Sequence, residues 1–352
     1  MKIVMLRFPH LAEQIFQKLD NEGLAKSREV EQVWQTFIDQ RDYSWLRIVN
    51  IPNVLPKGNT FCHLAAEHGQ IDVFEMLLNE DNNIDQKNDL DETPFISACS
   101  KGRMNIVAML LKKYVGLKIN LNQRTNDNDG VTGFHLACQN GHSEIAEMIM
   151  NASSRLKIDL NIKDKWGASA FQLACMKGHS NIAKSIINKS SKLKIELNTK
   201  DKGNSTAFHL VCYYGCVDVA ELLLENASKL EMDWNGKNFF GTTAFQLACS
   251  LGHPKIAEII MNNSEQLKID LNSKARNDGA TAFHKACSRR DSEIMTSNCA
   301  KIVKMLIEQS ERLKIDLTAR NNRGENGFQV AEYSKNTEVM NIIKTKMPSL
   351  VV

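Results

Sequence analysis

Residues 167–203 read GASAFQLACMKGHSNIAKSIINKSSKLKIELNTKDKG, and the fold turns on whether this stretch is unique. It is not. Its core AFQLAC recurs at 244–249, with GFHLAC at 133–138, AFHLVC at 207–212 and AFHKAC at 282–287. Looser copies are TFCHLAA at 60–66, TPFISAC at 93–99 and NGFQVAE at 326–332. The phenylalanines Phe61, Phe95, Phe134, Phe171, Phe208, Phe245, Phe283 and Phe328 are separated by 34, 39, 37, 37, 37, 38 and 45 residues. A fixed period near 37 defines a repeat array, in which each unit buries its apolar face only by stacking on the next.

Within the unit, Phe171, Leu173, Ala174 and Cys175 form the apolar face of a short helix. Gly178 supplies the left-handed residue that ends it. Ile182, Ala183, Ile186 and Ile187 then repeat at helical spacing and predict a second helix. In the sixth unit Pro254 follows Gly-His, at the helix start where a missing N–H costs nothing. LKIELN and a polar Asp-Lys-Gly turn close the unit.

The order Gly-x-Thr-x-Phe-His-Leu-Ala-Cys, two free positions, then Gly-His-x-x-Ile-Ala-x-x-Ile resembles the ankyrin repeat over residues 58–345, in about eight units. The resemblance implies a mostly α fold: helix–turn–helix pairs stacked into a solenoid, with β-hairpin fingers along one edge. The usual Thr-Pro-Leu is Thr-Ala-Phe here, with proline kept only at Thr93-Pro94. The unit is about four residues longer than in the family, which predicts one more turn at the end of helix two. The seventh unit gains about eight more, within RRDSEIMTSNC.

The fifth copy, AFHLVCYYGC at 207–216, places His209, Cys212 and Cys216 on one helical face and raises the question of zinc. The period answers it. Cys99, Cys138, Cys175, Cys212, Cys249 and Cys287 occupy one slot six times over, and His209 shares a slot with Gln172 and Gln246. Neighbouring copies stand roughly 8–10 Å apart, too far for a disulfide or a shared metal. Small buried thiols are expected, with no metal, catalytic group or cofactor. His142, His179 and His253 are expected to form hydrogen bonds at a helix boundary. Asn122, Asn161, Asn198, Asn235 and Asn272 are expected to bond the adjacent turn.

A net charge of +3, with 43% hydrophobic and 24% charged residues, argues against nucleic acid or a membrane surface as partner. No apolar run reaches the roughly 18 residues of a membrane span, and MKIVMLRF is too short for a secretory signal. Nine cysteines, an odd count, fit reduced thiols in the cytoplasm or nucleus.

Residues 8–47 break the period. Ile15, Phe16 and Leu19 make one apolar helical stripe, and Val30, Val33, Trp34, Phe37 and Ile38 another. Two or three short helices bury little on their own and need something to pack against. The segment resembles an F-box through Pro9, Ile15-Phe16, Leu19, Leu24, Val30, Trp34 and Trp45. It departs from that family at Phe8 and Glu31 and in a Pro-to-Ile spacing one residue short. The resemblance implies docking on a Skp-type adaptor of a cullin–RING ubiquitin ligase. The alternative is a helical cap on the solenoid, and both roles are compatible. The expected organisation is an F-box-like domain at 1–48, a junction at 49–57, repeats at 58–345 and a tail at 346–352.

Nothing in the repeats supplies a nucleophile–base pair, a phosphate loop or a carboxylate dyad, so the array is expected to be a non-enzymatic recognition surface. Trp166, Tyr213, Tyr214, Phe239 and Phe240 stand where the repeat pattern is free, at finger tips and at the end of helix one. They are expected to form a target-binding patch with a basic rim of Lys165, Lys202 and Lys237. The other possibility is that Phe239 or Phe240 tucks under its finger. Trp234 replaces the leucine of LKIDLN and is expected in the core. The function expected is that of a ligase substrate receptor, with a stand-alone ankyrin scaffold as the alternative.

Overall fold

The computed structural model describes residues 58–78, 84–117, 119–127, 129–288 and 292–351. The F-box-like segment and the junction after it lie outside these residues. The chain divides after Asp127 into two compact units. Among its described residues the first holds two helical hairpins, α1 (Phe61–His68) with α2 (Ile71–Leu78) and α3 (Pro94–Ser100) with α4 (Met104–Leu117).

The second unit stacks six more. Their short first helices are α5 (Gly133–Gln139), α7 (Ala170–Met176), α9 (Ala207–Tyr214), α12 (Ala244–Ser250), α14 (Ala282–Cys287) and α16 (Gly327–Tyr333). The second helices are α6 (Ser143–Leu156), α8 (Ser180–Leu193), α10 (Val217–Glu225) continued by α11 (Ala227–Leu230), α13 (Pro254–Leu267), α15 (Glu293–Leu313) and α17 (Thr337–Lys346). First helices pack on first helices and second on second along the stack. Phe134, Phe171, Phe208, Phe245, Phe283 and Phe328 are all buried, one per layer. Each contributes roughly 1.5–3 kcal/mol by leaving water.

The four extra residues do lengthen helix two: α6, α8 and α13 each run 14 residues. All three end on a lysine in the left-handed region, Lys157, Lys194 and Lys268, at φ 53 to 55°. In the last turn Ser153, Ser190, Ser264 and Ser310 each donate a hydroxyl to the carbonyl three residues back. The fifth repeat has Ala227 in that slot, and there the helix breaks at Asn226. The insertion in the seventh repeat extends α15 at its N-terminal end to 21 residues.

The expected β-hairpin fingers are not ladders: no strand forms among the described residues. Two single antiparallel bridges, Lys163 with Ser169 and Lys237 with Thr243, are all that pairs. The segment is too short for a second rung before the helix cap, so a side chain does the work instead. Asp164 Oδ1 accepts from the amides of Trp166 and Ala168 at 2.8 and 2.7 Å. Each tip then bonds the next through one backbone link: Lys165 N to Asp129 O, Lys202 N to Trp166 O, Phe239 N to Gly203 O and Arg276 N to Gly241 O, all 2.7–3.1 Å. Gly241, at φ 70°, must be glycine on two counts, because a Cβ there would also strike the Arg276 side chain.

The tail is structured as well. Pro348–Leu350 form a 3-10 turn against α17, and Leu350 is buried. Its carbonyl accepts from Asn326 Nδ2 at 3.1 Å.

Candidate functional site

The polar framework of each repeat is built from its first helix. Thr206 caps α9: the His209 amide donates to its hydroxyl oxygen, and the Thr206 amide donates to His209 Nδ1 at 3.3 Å. Nδ1 is therefore an acceptor, which places the ring proton on Nε2, and Nε2 donates to Gly236 O at 3.0 Å. Gln172 reproduces this with an amide. Its Oε1 accepts from Ser169 N at 2.9 Å, and its Nε2 donates to Thr199 O and Ser205 O. Gln246 bonds Thr243 N and Ala280 O in the same way. At 172, 209 and 246 the slot carries an acceptor towards its own cap and a donor towards the next repeat, which histidine and glutamine both supply, whereas the second repeat has buried Ile96 there. Burial holds the His63, His209 and His284 imidazoles below their usual pKa, against the smaller opposing pull of the carbonyl each one bonds.

Cys99, Cys138, Cys175, Cys212, Cys249 and Cys287 are buried without trace of exposure. Desolvation pushes the thiols of Cys138, Cys175, Cys212, Cys249 and Cys287 far above the ordinary range, so they stay protonated and inert as nucleophiles. Among the described residues no group of His, Cys, Asp or Glu is placed to hold a metal ion.

His179 and His253 sit at helix boundaries as expected, but neither caps its own helix. Each reaches back to the preceding repeat, His179 Nε2 donating to Gln139 O at 3.0 Å and His253 Nε2 to Tyr213 O at 3.2 Å. Cys216 fills the same place in the fifth repeat, with its thiol 3.5 Å from Met176 O. The asparagines bridge forward. Asn161 donates to Lys194 O at 2.9 Å and accepts from Glu196 N. Asn235 does the same with Lys268 O and Asp270 N, and Asn272 with Lys314 O and Asp316 N. Asn198 donates to Glu231 O.

The five candidate aromatics are exposed, from 50% for Tyr213 to 71% for Phe239, and neither phenylalanine tucks under its finger. They fall into three groups. Phe239 and Phe240 meet edge-to-face with centroids 5.7 Å apart at one finger tip. Tyr213 and Tyr214 do so at 5.0 Å at the end of α9. Trp166 stands two fingers before the phenylalanines, its indole N–H 3.3 Å from Asp129 Oδ1. No ring contact joins Trp166 to either pair among the described residues. The seven residues from Ala207 to Tyr213 span roughly 10 Å of helix, which separates the tyrosine pair from the finger edge. Trp234 is corrected: its ring meets buried Phe208 edge-on at 4.9 Å but is only half-buried, because an indole overfills the space of a leucine.

Two features escaped the sequence reading although its own period carried them. Tyr333 stands five residues after Phe328, as Tyr213 does after Phe208, and is 76% exposed beneath the Arg323 guanidinium. A column of cations also follows the period: Lys163, Lys200, Lys237, Lys274 and Arg320.

Comparison with known proteins agrees with this architecture. The family model for ankyrin repeats (3 copies) matches residues 62–164, 154–233 and 226–321. The chain belongs to the ankyrin-repeat family, whose members are protein-interaction modules. The human ASB11 ankyrin repeat domain superposes with a TM-score of 0.55 at 16% identity, over 69% of this chain and 98% of that one. At that identity the likeness is one of fold. Alpha-latroinsectotoxin-Lt1a of Latrodectus tredecimguttatus is 34% identical over 89 residues, 25% of this chain but only 6% of the toxin's length. No described helix is long and apolar enough to cross a membrane.

Proposed function

We propose that this chain is a substrate receptor of a cullin–RING ubiquitin ligase, with residues 8–47 docking on a Skp-type adaptor and the repeats holding a target protein. The observation that carries the target half is the exposure of Trp166, Tyr213, Tyr214, Phe239 and Phe240. Large exposed aromatics on a rigid frame are the usual anchors of a protein interface. The adaptor half rests on the F-box-like order Pro9, Ile15, Phe16, Leu19, Leu24, Val30 and Trp34. The chain itself performs no chemistry on this reading. It raises the concentration of the target near the ligase.

The test is adaptor binding by the full chain, measured beside Ile15→Ala/Phe16→Ala. Binding at micromolar concentration, lost in the double variant at unchanged helical content, supports the receptor. Wild-type protein that ignores the adaptor is a stand-alone scaffold. Separately, Trp166→Ala and Tyr213→Ala should each weaken target capture roughly thirtyfold, about 2 kcal/mol. A large fall in melting temperature from either would instead place the ring in the core.

A further inference from the structure

The finger segments 163–167, 200–204, 237–241, 274–279 and 320–325 carry nine Lys or Arg against four Asp or Glu, a surplus of five in a chain whose total is +3. Two of those carboxylates are turned inward: Asp164 accepts from its own turn at 2.7 and 2.8 Å, and Asp201 from Ser205 N at 2.8 Å. The inner column is cationic five times in succession, at Lys163, Lys200, Lys237, Lys274 and Arg320. Lys163, Lys237 and Lys274 donate to the carbonyl of the same position in the next repeat, a neutral acceptor that leaves their charge standing. None of the ion pairs among the described residues involves this column.

The outer column, Lys165, Lys202, Phe239 and Arg276, is exposed throughout. Phe239 interrupts it with an apolar ring. The backbone links between tips make the edge continuous from Lys165 to Arg276.

We infer that this edge binds an extended acidic polypeptide segment running along the stack, with one apolar side chain received by Phe239 and Phe240. An extended segment of polyproline-II form advances about 3.1 Å per residue with three residues per turn, so every third side chain points the same way, and repeats advance roughly 8–10 Å. One partner side chain in three therefore meets a finger. Opposite Lys202, Phe239 and Arg276 the matching pattern is acidic-x-x-apolar-x-x-acidic. The inference rests on the array being a protein-recognition surface and supplies the chemistry of what it recognises. It does not depend on the adaptor.

The experiment is fluorescence anisotropy on the full chain with three labelled probes. These are a twelve-residue peptide with Asp at positions 1, 4 and 10 and Leu at 7, an isomer with its three Asp contiguous, and a twelve-nucleotide oligouridylate. The spaced peptide should bind at least tenfold tighter than its isomer, and less tightly as salt rises. Lys202→Glu/Arg276→Glu should cost at least tenfold, and Lys202→Gln/Arg276→Gln less. Phe239→Ala should lower affinity with the salt dependence unchanged. Equal binding of the two peptides, tighter binding of the RNA, or no peptide binding would each overturn the inference. Adaptor binding by the same preparation reports on the receptor reading independently, so the two fail separately.

Discussion

Gln172 and His209 meet one requirement with different atoms, and this makes the slot predictable. Gln172→His should change stability by less than about 1 kcal/mol, since the ring keeps both an acceptor and a donor. Gln172→Ala should cost roughly 2–3 kcal/mol, because Ser169 N–H and the carbonyls of Thr199 and Ser205 would lose their partner in a dry layer. Urea midpoints at unchanged m-value would measure both. The sequence made the slot visible as a position where histidine and glutamine alternate. It could not show that each side chain links two repeats, because the acceptors lie 27 and 33 residues away. Trp234 is similar: its place was legible, but the half-buried indole depends on the room that Phe208 leaves.

Among elements, the helices were the most legible because their apolar spacing recurs in every copy. Finger geometry was not, since it is decided by Asp164 and Asn238 bonding their own turns rather than by any strand pattern. The tail was also opaque: MPSLVV is too short to show periodicity, yet Leu350 closes the last hairpin. Leu350→Asp would bury a carboxylate beside α17 and disturb the bond from Asn326 Nδ2. It should destabilise α16 and α17 by about 2 kcal/mol or more. Hydrogen exchange should speed up there and stay unchanged in α7 and α8, since stacked repeats couple chiefly to their neighbours.

The whole molecule gathers several imidazoles that must stay neutral. His63, His209, His253 and His284 are all held below their ordinary pKa, first by burial. For His209 the Thr206 amide already points at Nδ1, leaving no room for a second proton. As pH falls below about 6.5, the unfolded chain takes up protons that the folded chain refuses. Stability should be full above that value and decline progressively beneath it. Thermal melts should be level from pH 7 to 8 and fall below about pH 6. His209→Gln/His284→Gln should flatten that fall, because glutamine already serves the slot at 172 and 246 without titrating.

The asparagine bridges have a consequence for how such a chain is inherited. Asn161 grips the Lys194 carbonyl and the Glu196 amide, and Asn235 grips their counterparts at Lys268 and Asp270. Asn272 repeats the grip on Lys314 and Asp316, so three copies present the same pair of atoms backwards and the same side chain forwards. If the gene lost residues 167–203, Asn161 would face the carbonyl of Glu231, which Asn198 now holds. Duplication or loss of a whole copy leaves no atom of this bridge orphaned, and the longer seventh unit keeps it too, because its extra residues lie within α15. Selection can therefore vary the number of fingers in single steps while the joint between copies stays the same.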